Sequence, residues 1–280
     1  MRNPVSAATR RMANAGAALL VATTVLAPVA GLAQSAGGAQ NDANNPLTPK
    51  ITINLQDYFI PSLYGIPGQA NQFLLRGLVP HDLFGAPQML RFTLPLVTTP
   101  TGLDSSVTGI GDLTLMDLFM FPGKQVSFGI GPMLVAPTAT DDLTGDGKWQ
   151  AGAAAVAVAP QKWGLAGGLV TYQASFAGDE AREDVSLLTA QPILFYNLPE
   201  GFYLRSSAVW NFDLEAGDSY IPVGFGIGRA MPIGNGTTMN AYVEPQYTVF
   251  QEGSGAPQWQ IFGGINFQFD SVSTDADKRP

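Results

Sequence analysis

Residues 124–179, KQVSFGIGPMLVAPTATDDLTGDGKWQAGAAAVAVAPQKWGLAGGLVTYQASFAGD, read as strand, long polar loop, strand, tight turn, strand. In the first strand Val126, Phe128, Ile130, Pro132 and Leu134 alternate with Ser127, Gly129, Gly131 and Met133, and a period of two sends one set to each face of a sheet. One face is greasy and the other small or polar. The connection Pro160–Lys162 is short, whereas Pro137–Lys148 is long, acidic and glycine-containing. Short turns at one end and long loops at the other are the mark of an outer-membrane barrel.

The same alternation recurs on both sides of this stretch. Toward the amino terminus, Ile51, Ile53 and Leu55 oppose Thr52, Asn54 and Gln56; Phe73, Leu75 and Val79 oppose Gln72, Leu74 and Arg76; Leu90, Phe92, Leu94 and Leu96 oppose Arg91, Thr93 and Pro95. A fourth strand over 109–121 places Leu113, Leu115, Phe119 and Phe121 against Asp112, Thr114 and Met116, with Asp117 out of pattern, so that a bulge or a register change is expected there. The alanine-rich run from Ala151 to Ala159 does not betray its faces.

Toward the carboxyl terminus, a strand over 184–197 ends at the turn 197–201. In the next, Phe202, Leu204, Ala208 and Trp210 oppose Tyr203, Arg205, Ser207, Asn211 and Asp213. In the tenth, Ile221, Val223, Phe225 and Ile227 oppose Pro222 and three glycines, and Asn235-Gly236 then signals a hairpin turn. The eleventh sets Met239, Ala241, Val243 and Val249 against Asn240, Glu244, Gln246 and Thr248; the twelfth sets Trp259, Ile261, Ile265 and Phe267 against Gln260, Asn266 and Gln268. Twelve runs, an even number, predict an all-β fold, a closed antiparallel transmembrane β-barrel of about twelve strands over 49–269. Pro95, Pro132, Pro192, Pro222 and Pro245 fall inside the strands and each removes one ladder donor, which counts against the barrel except where bulges absorb them; a soluble β sandwich is the rival reading.

Composition agrees. Hydrophobic residues make up 46% of the 280 and charged ones only 13%, which is greasy for a secreted globule. No segment after residue 33 has the roughly 18 unbroken apolar residues of a spanning helix. Arg2, Arg10 and Arg11 precede an apolar run ending in Gly31-Leu32-Ala33, so residues 1–33 are expected to be a signal peptide. Residues 34–48, rich in Gly, Ala, Asn and Gln, read as a disordered periplasmic lead-in, and 270–280 as a tail. The mature chain would carry 11 basic against 22 acidic residues, a balance that argues against nucleic acid. The expected location is the bacterial outer membrane, reached by export through the inner membrane, with lipid and lipopolysaccharide as partners and passage of a small-molecule solute.

The segments GIGDLTLMDLFMF, GIGPMLVAPTATDD, GDGKWQAGAAAVA, SFAGD, NLPEGFYLRSSAVWNFD, VGFGIGR and PQWQIFGGINFQF run in order from Gly109 to Phe269. As a series they resemble the outer-membrane barrels grouped in the MetA-pathway-of-phenol-degradation family. The resemblance implies a barrel that passes hydrophobic or aromatic small molecules, and it brings no catalytic residues.

The residues expected to line the lumen are Arg76, Arg91, Asp112, Arg205, Asp213 and Glu244. Charges inside a barrel are costly unless watered or paired, so they mark either a channel constriction or a polar filling. A twelve-stranded barrel lies between the filled eight-stranded and the open sixteen-stranded sizes, and both readings stand. Alternation sends Arg205 and Glu244 to the lumen, but a strand lies between theirs and they need not touch. Asp141, Asp142 and Asp146 are weak calcium candidates whose spacing is not that of an EF-hand; a solvated acidic loop accounts for them better, and a third reading has divalent ions bridging them to lipopolysaccharide phosphates. His81 is the only histidine and falls in a turn beside Pro80 and Asp82, where solvation explains it better than service to a serine nucleophile. No enzyme activity and no cofactor are expected.

Overall fold

The computed structural model describes residues 33–102, 105–234 and 236–270. The expected signal peptide, apart from Ala33, and the tail beyond Asp270 lie outside the described residues. A helix α1 (Ala33–Asn44) is followed by the strands β1 (Ile51–Leu63), β2 (Ala70–His81), β3 (Gln88–Pro100), β4 (Ser106–Ile110), β5 (Leu113–Phe121), β6 (Ser127–Ala136), β7 (Lys148–Gln161) and β8 (Gly164–Gly178). Then come β9 (Ser186–Asn197), β10 (Phe202–Ser206), β11 (Trp210–Asp213), β12 (Ser219–Gly224), β13 (Gly226–Gly234), β14 (Thr237–Glu252) and β15 (Pro257–Phe269). Three pairs, β4 with β5, β10 with β11 and β12 with β13, are halves of one interrupted stave each, which leaves a closed antiparallel barrel of twelve staves. Closure is by β1 on β15, in unbroken register from Ile51 opposite Phe269 to Phe59 opposite Ile261. Where β1 begins and β15 ends, Lys50 and Asp270 form an ion pair of 2.8 Å across the seam.

The interruptions have local causes. Between β4 and β5, Thr138 of the following loop replaces the missing ladder partner: its hydroxyl donates to Gly111 O at 2.9 Å and accepts from Leu113 N–H at 2.9 Å. Between β10 and β11, Ser207 N–H donates to the Glu244 carboxylate at 2.9 Å and Ser207 O accepts from the Gln191 amide at 2.8 Å. The main chain is satisfied from inside the lumen instead of from a neighbouring strand. All five prolines lie within strands, and the register shifts beside Pro222 only.

Exposure is inverted relative to a soluble sheet. Along β1 the aliphatics Ile51, Ile53 and Leu55 are exposed, whereas Thr52, Asn54 and Gln56 are buried. Along β14, Asn240, Glu244, Gln246 and Thr248 are buried while Val243 and Val249 are exposed. An outward aliphatic band of this extent needs an apolar surrounding, which a bilayer supplies. Asp117 does share the outward parity of Leu115 and Phe119, and its carboxylate is met there by His81 Nε2 at 3.0 Å and by the Gln88 amide at 2.9 Å. His81 is therefore not the solvated turn residue expected from sequence; it is the last residue of β2 and carries a partner.

The expectation of a polar interior holds on the wall formed by β1, β14 and β15 and fails on the opposite one. There Met116, Leu118, Met133, Val135, Val156 and Val158 point inward and pack with Leu165, Ile193, Phe195 and Tyr203. The β7 faces, illegible in sequence, are now assigned: Gln150, Ala154, Val156 and Val158 face in, and Trp149 faces out.

Residues 34–48 are not the disordered lead-in that their composition predicts. They form α1 and a turn at 46–47, closed by Thr48 N–H donating to Asn45 O at 3.1 Å, at the end of the barrel bearing the short turns. Composition misleads because amides, not apolar area, hold the segment: Gln40 donates to Leu198 O at 2.9 Å and Phe202 O at 2.6 Å, and Asn41 to Gln161 O at 2.9 Å. Asn240 donates to Asn44 Oδ1 at 2.9 Å, and Leu47, buried, joins the inward apolar cluster. A free peptide of this composition lacks those partners.

Candidate functional site

The site is the lumen. At the long-loop end lies a cavity of about 700 Å³, lined among others by Tyr58, Leu74, Arg76, Thr93, Asp112, Tyr220 and Gln260. The loop 137–147 folds over its mouth rather than into solvent, with Thr144 buried and its hydroxyl donating to Ile110 O at 3.0 Å. A second loop pins the first: Arg182 donates to Gly145 O, and Lys148 pairs with Asp184 at 3.1 Å. The hydrogen bond from Lys148 holds the Asp184 carboxyl below the usual carboxylate range, and that from Ser175 adds to it.

Below this vestibule is a smaller chamber of about 140 Å³, bounded underneath by residues 43–48 and lined by Asn54, Arg76, Arg91, Arg205, Asn266 and Gln268 among others. Arg76 belongs to the walls of both cavities. Its guanidinium donates to Gln56 at 2.8 Å, and Gln56 in turn donates to the Tyr242 hydroxyl at 2.7 Å.

Arg205 and Glu244 do touch, which parity alone left open. Arg205 Nε donates to Glu244 Oε2 at 2.8 Å, and both side chains are buried, at 5% and 0% exposure, so the carboxylate is packed against protein even though Arg205 reaches the chamber wall. The intervening stave permits the contact because its inward positions are Gly224 and Gly226. A Cβ at Gly224 would stand 2.3 Å from Glu244 Oε1, and one at Gly226 would stand 2.3 Å from Val243 O. The glycine run VGFGIG, which marks a strand in sequence, thus also opens the space in which the pair forms. Glu244 accepts three more hydrogen bonds, from Ser207 N–H at 2.9 Å, Ser207 Oγ at 2.8 Å and Gln246 at 2.9 Å. The Arg205 guanidinium lies 3.6 Å from the centre of the Tyr242 ring, a stacking that favours a weakly hydrated cation over a second lysine-like charge.

The remaining sequence candidates divide. Asp112 lines the vestibule, but its carboxylate is taken by two loop amides, Ala139 N–H at 3.1 Å and Asp146 N–H at 2.7 Å. Asp213 lines neither cavity: it caps the turn that follows, accepting from Glu215 and Ala216 N–H, each at 3.0 Å. Of the loop acids, Asp141 accepts from Leu143 N–H at 2.9 Å, Asp142 faces Arg182 at 3.8 Å and Asp146 accepts from Gln150 at 2.7 Å. Burial pushes the Asp146 carboxyl up from its ordinary value. The three acids serve three separate partners, and among the described residues no three His, Asp or Glu side chains gather as a metal site. The two ring nitrogens of His81 are engaged by Asp117 and by Leu83 N–H, so neither is free to activate a serine. Segment 40–48, which forms the floor of the inner chamber, has a place that the sequence did not display, although the cluster Gln40, Asn41, Asn44 and Asn45 stands just ahead of the first strand.

No family model matches the sequence, and no curated protein matches it. Solved structures do match. The crystal structure of an outer membrane channel from Pseudomonas putida F1 aligns over 79% of this chain and 96% of its own, with a TM-score of 0.57 at 15% identity. The KdgM porin aligns over 78% of this chain and 99% of its own, with a TM-score of 0.45 at 9% identity. The β domain of the Bordetella autotransporter BrkA aligns over 78% and 100%, with a TM-score of 0.38 at 14% identity. At 15% identity the first likeness shows the fold alone, the closed antiparallel β-barrel of outer-membrane proteins.

Proposed function

We propose that this chain is an outer-membrane channel for small solutes, with its long loops outside the cell, its short turns in the periplasm and lipopolysaccharide around its outer rim. The observation that carries the reading is the stacked pair of cavities inside a wall whose outer face is aliphatic. The vestibule of about 700 Å³ is within the size range of small-molecule sites, and Arg76 links it to the chamber beneath. Passage then requires residues 40–48 to yield, and the hydrogen bonds that hold them are amide contacts at the barrel rim. Solutes with apolar or aromatic bodies suit the Tyr58, Leu74 and Tyr220 surfaces of the vestibule, in keeping with the family resemblance of residues 109–269.

The second reading is a filled barrel that serves as a structural or surface-binding element, with its outer loops on lipopolysaccharide or a protein. It is favoured by the fully buried Glu244. Liposome swelling separates the two. Vesicles containing purified full-length protein should swell faster than empty ones in solutions of small solutes, and rates equal to those of empty vesicles would sink the channel reading.

A further inference from the structure

The inner chamber holds two guanidinium groups for which none of the described residues supplies an ion-pair partner. Arg76 and Arg91 point inward from adjacent strands: Arg76 lies opposite Thr93 and Arg91 opposite Leu78, so the two are diagonal neighbours with Cβ atoms roughly 7–8 Å apart. Neither is in an ion pair among the described residues. Arg76 Nε is buried without a partner. Arg91 makes no side-chain hydrogen bond, although it lines both the inner chamber and a smaller void beside Pro46. The third arginine of the chamber, Arg205, is neutralised by Glu244, which leaves two positive charges over.

A guanidinium enclosed in a cavity wall without an ion-pair partner is costly unless something in the cavity carries the opposite charge. Two amides face the same space. Asn54 and Asn266 both line the chamber, both have an Oδ1 buried without a partner, and neither side chain bonds elsewhere. A half-turn about the terminal bond would present either NH2 group to an anion without breaking any hydrogen bond. Above them the vestibule offers Tyr58, Leu74, Val97, Val135 and Tyr220 to an apolar body. Of the acids at its mouth, Asp112 accepts from two backbone amides, Asp146 accepts from Gln150, and Asp142 is exposed and 3.8 Å from Arg182.

From this arrangement we infer a carboxylate-binding site: Arg76 and Arg91, assisted by Asn54 and Asn266, hold the head of a small monocarboxylate whose apolar or aromatic body remains in the vestibule. Arginine suits the role because its planar donors match the two oxygens of a carboxylate. Arg76, on the boundary, meets the carboxylate first, and Arg91 receives it below. The inference deepens the channel reading and rests on it for how the solute arrives; binding itself needs only the folded barrel.

The test uses the full chain in detergent micelles with benzoate as probe and benzyl alcohol as its uncharged counterpart, titrated calorimetrically, and then both solutes in proteoliposome uptake. Benzoate should bind at least about tenfold more tightly than benzyl alcohol, the scale of one charge-assisted contact. Arg76→Gln combined with Arg91→Gln should remove that preference and lower the benzoate to benzyl alcohol uptake ratio to match. Equal binding of the two probes by the wild-type protein overturns the proposal without recourse to any variant, as does an unchanged preference in the folded double variant. If benzoate binds but neither solute crosses, the site stands and the channel reading falls. If both cross without discrimination, the reverse holds.

Discussion

Glu244→Lys is expected to lower the stability of the barrel by about 3–5 kcal/mol, the scale of breaking a buried ion pair by removing one partner, and to abolish the heat-resistant folded band on unboiled gels. The variant places two cations where the structure has one cation and one anion. Four hydrogen bonds to the carboxylate disappear with it, two of them from Ser207, whose N–H has no other partner at the break between β10 and β11. An unsatisfied main-chain donor in a dry interior is itself costly. Replacing both partners, Arg205→Met with Glu244→Leu, should cost less than Glu244→Lys alone, because it removes the buried charges together, although Ser207 still loses its acceptor. The midpoint of heat modification on gels, compared across the three proteins, provides the check. A Glu244→Lys barrel with the wild-type midpoint would show that this carboxylate is bathed in water.

Removing residues 38–48 is expected to raise single-channel conductance in planar bilayers severalfold while leaving a folded barrel. No strand of the wall is lost, since β1 begins at Ile51. What is lost is the floor of the inner chamber, Ala43 to Pro46 and Thr48, together with Leu47, the only residue of the buried inward cluster that does not belong to the wall. Twelve strands enclose more space than their own side chains fill on the polar side, and without a floor that space is continuous with water. Conductance equal to that of the full chain would mean that the lumen is blocked higher up, by the Arg205–Glu244 belt, and would favour the filled barrel.

Much of this architecture is legible in the sequence because a membrane barrel repeats one local rule. Each strand must alternate, and all twelve staves fall where alternation and turn residues place them. The outward setting of Asp117 is likewise visible as a broken pattern, but its remedy, a histidine and a glutamine from two neighbouring strands, depends on register, which a single sequence does not display. The β7 faces were unreadable for a chemical reason: Val156 and Val158 point into a lumen that is apolar on that side, so both faces of the strand carry small or greasy residues. The Arg205–Glu244 contact depends on two glycines of an intervening stave being absent as side chains. Parity sends Arg76, Arg91, Arg205 and Glu244 inward, and in the structure the three arginines line the inner chamber while Glu244 is buried against Arg205, whereas Asp213 shows that inward parity near a strand end also serves to cap a turn. Segment 40–48 was hidden because its order comes from long-range amide contacts with residues more than a hundred positions away.

A membrane barrel requires above all that its outward aliphatic face meet lipid. Membrane fractionation tests this directly: cells producing the protein are separated on a density gradient, the outer-membrane fraction is washed with urea, and the recovered protein is run with and without boiling. The structure predicts co-sedimentation with the outer membrane, resistance to the wash and a faster-migrating band before boiling. Recovery of a stable, detergent-free protein in the soluble periplasmic fraction would contradict it.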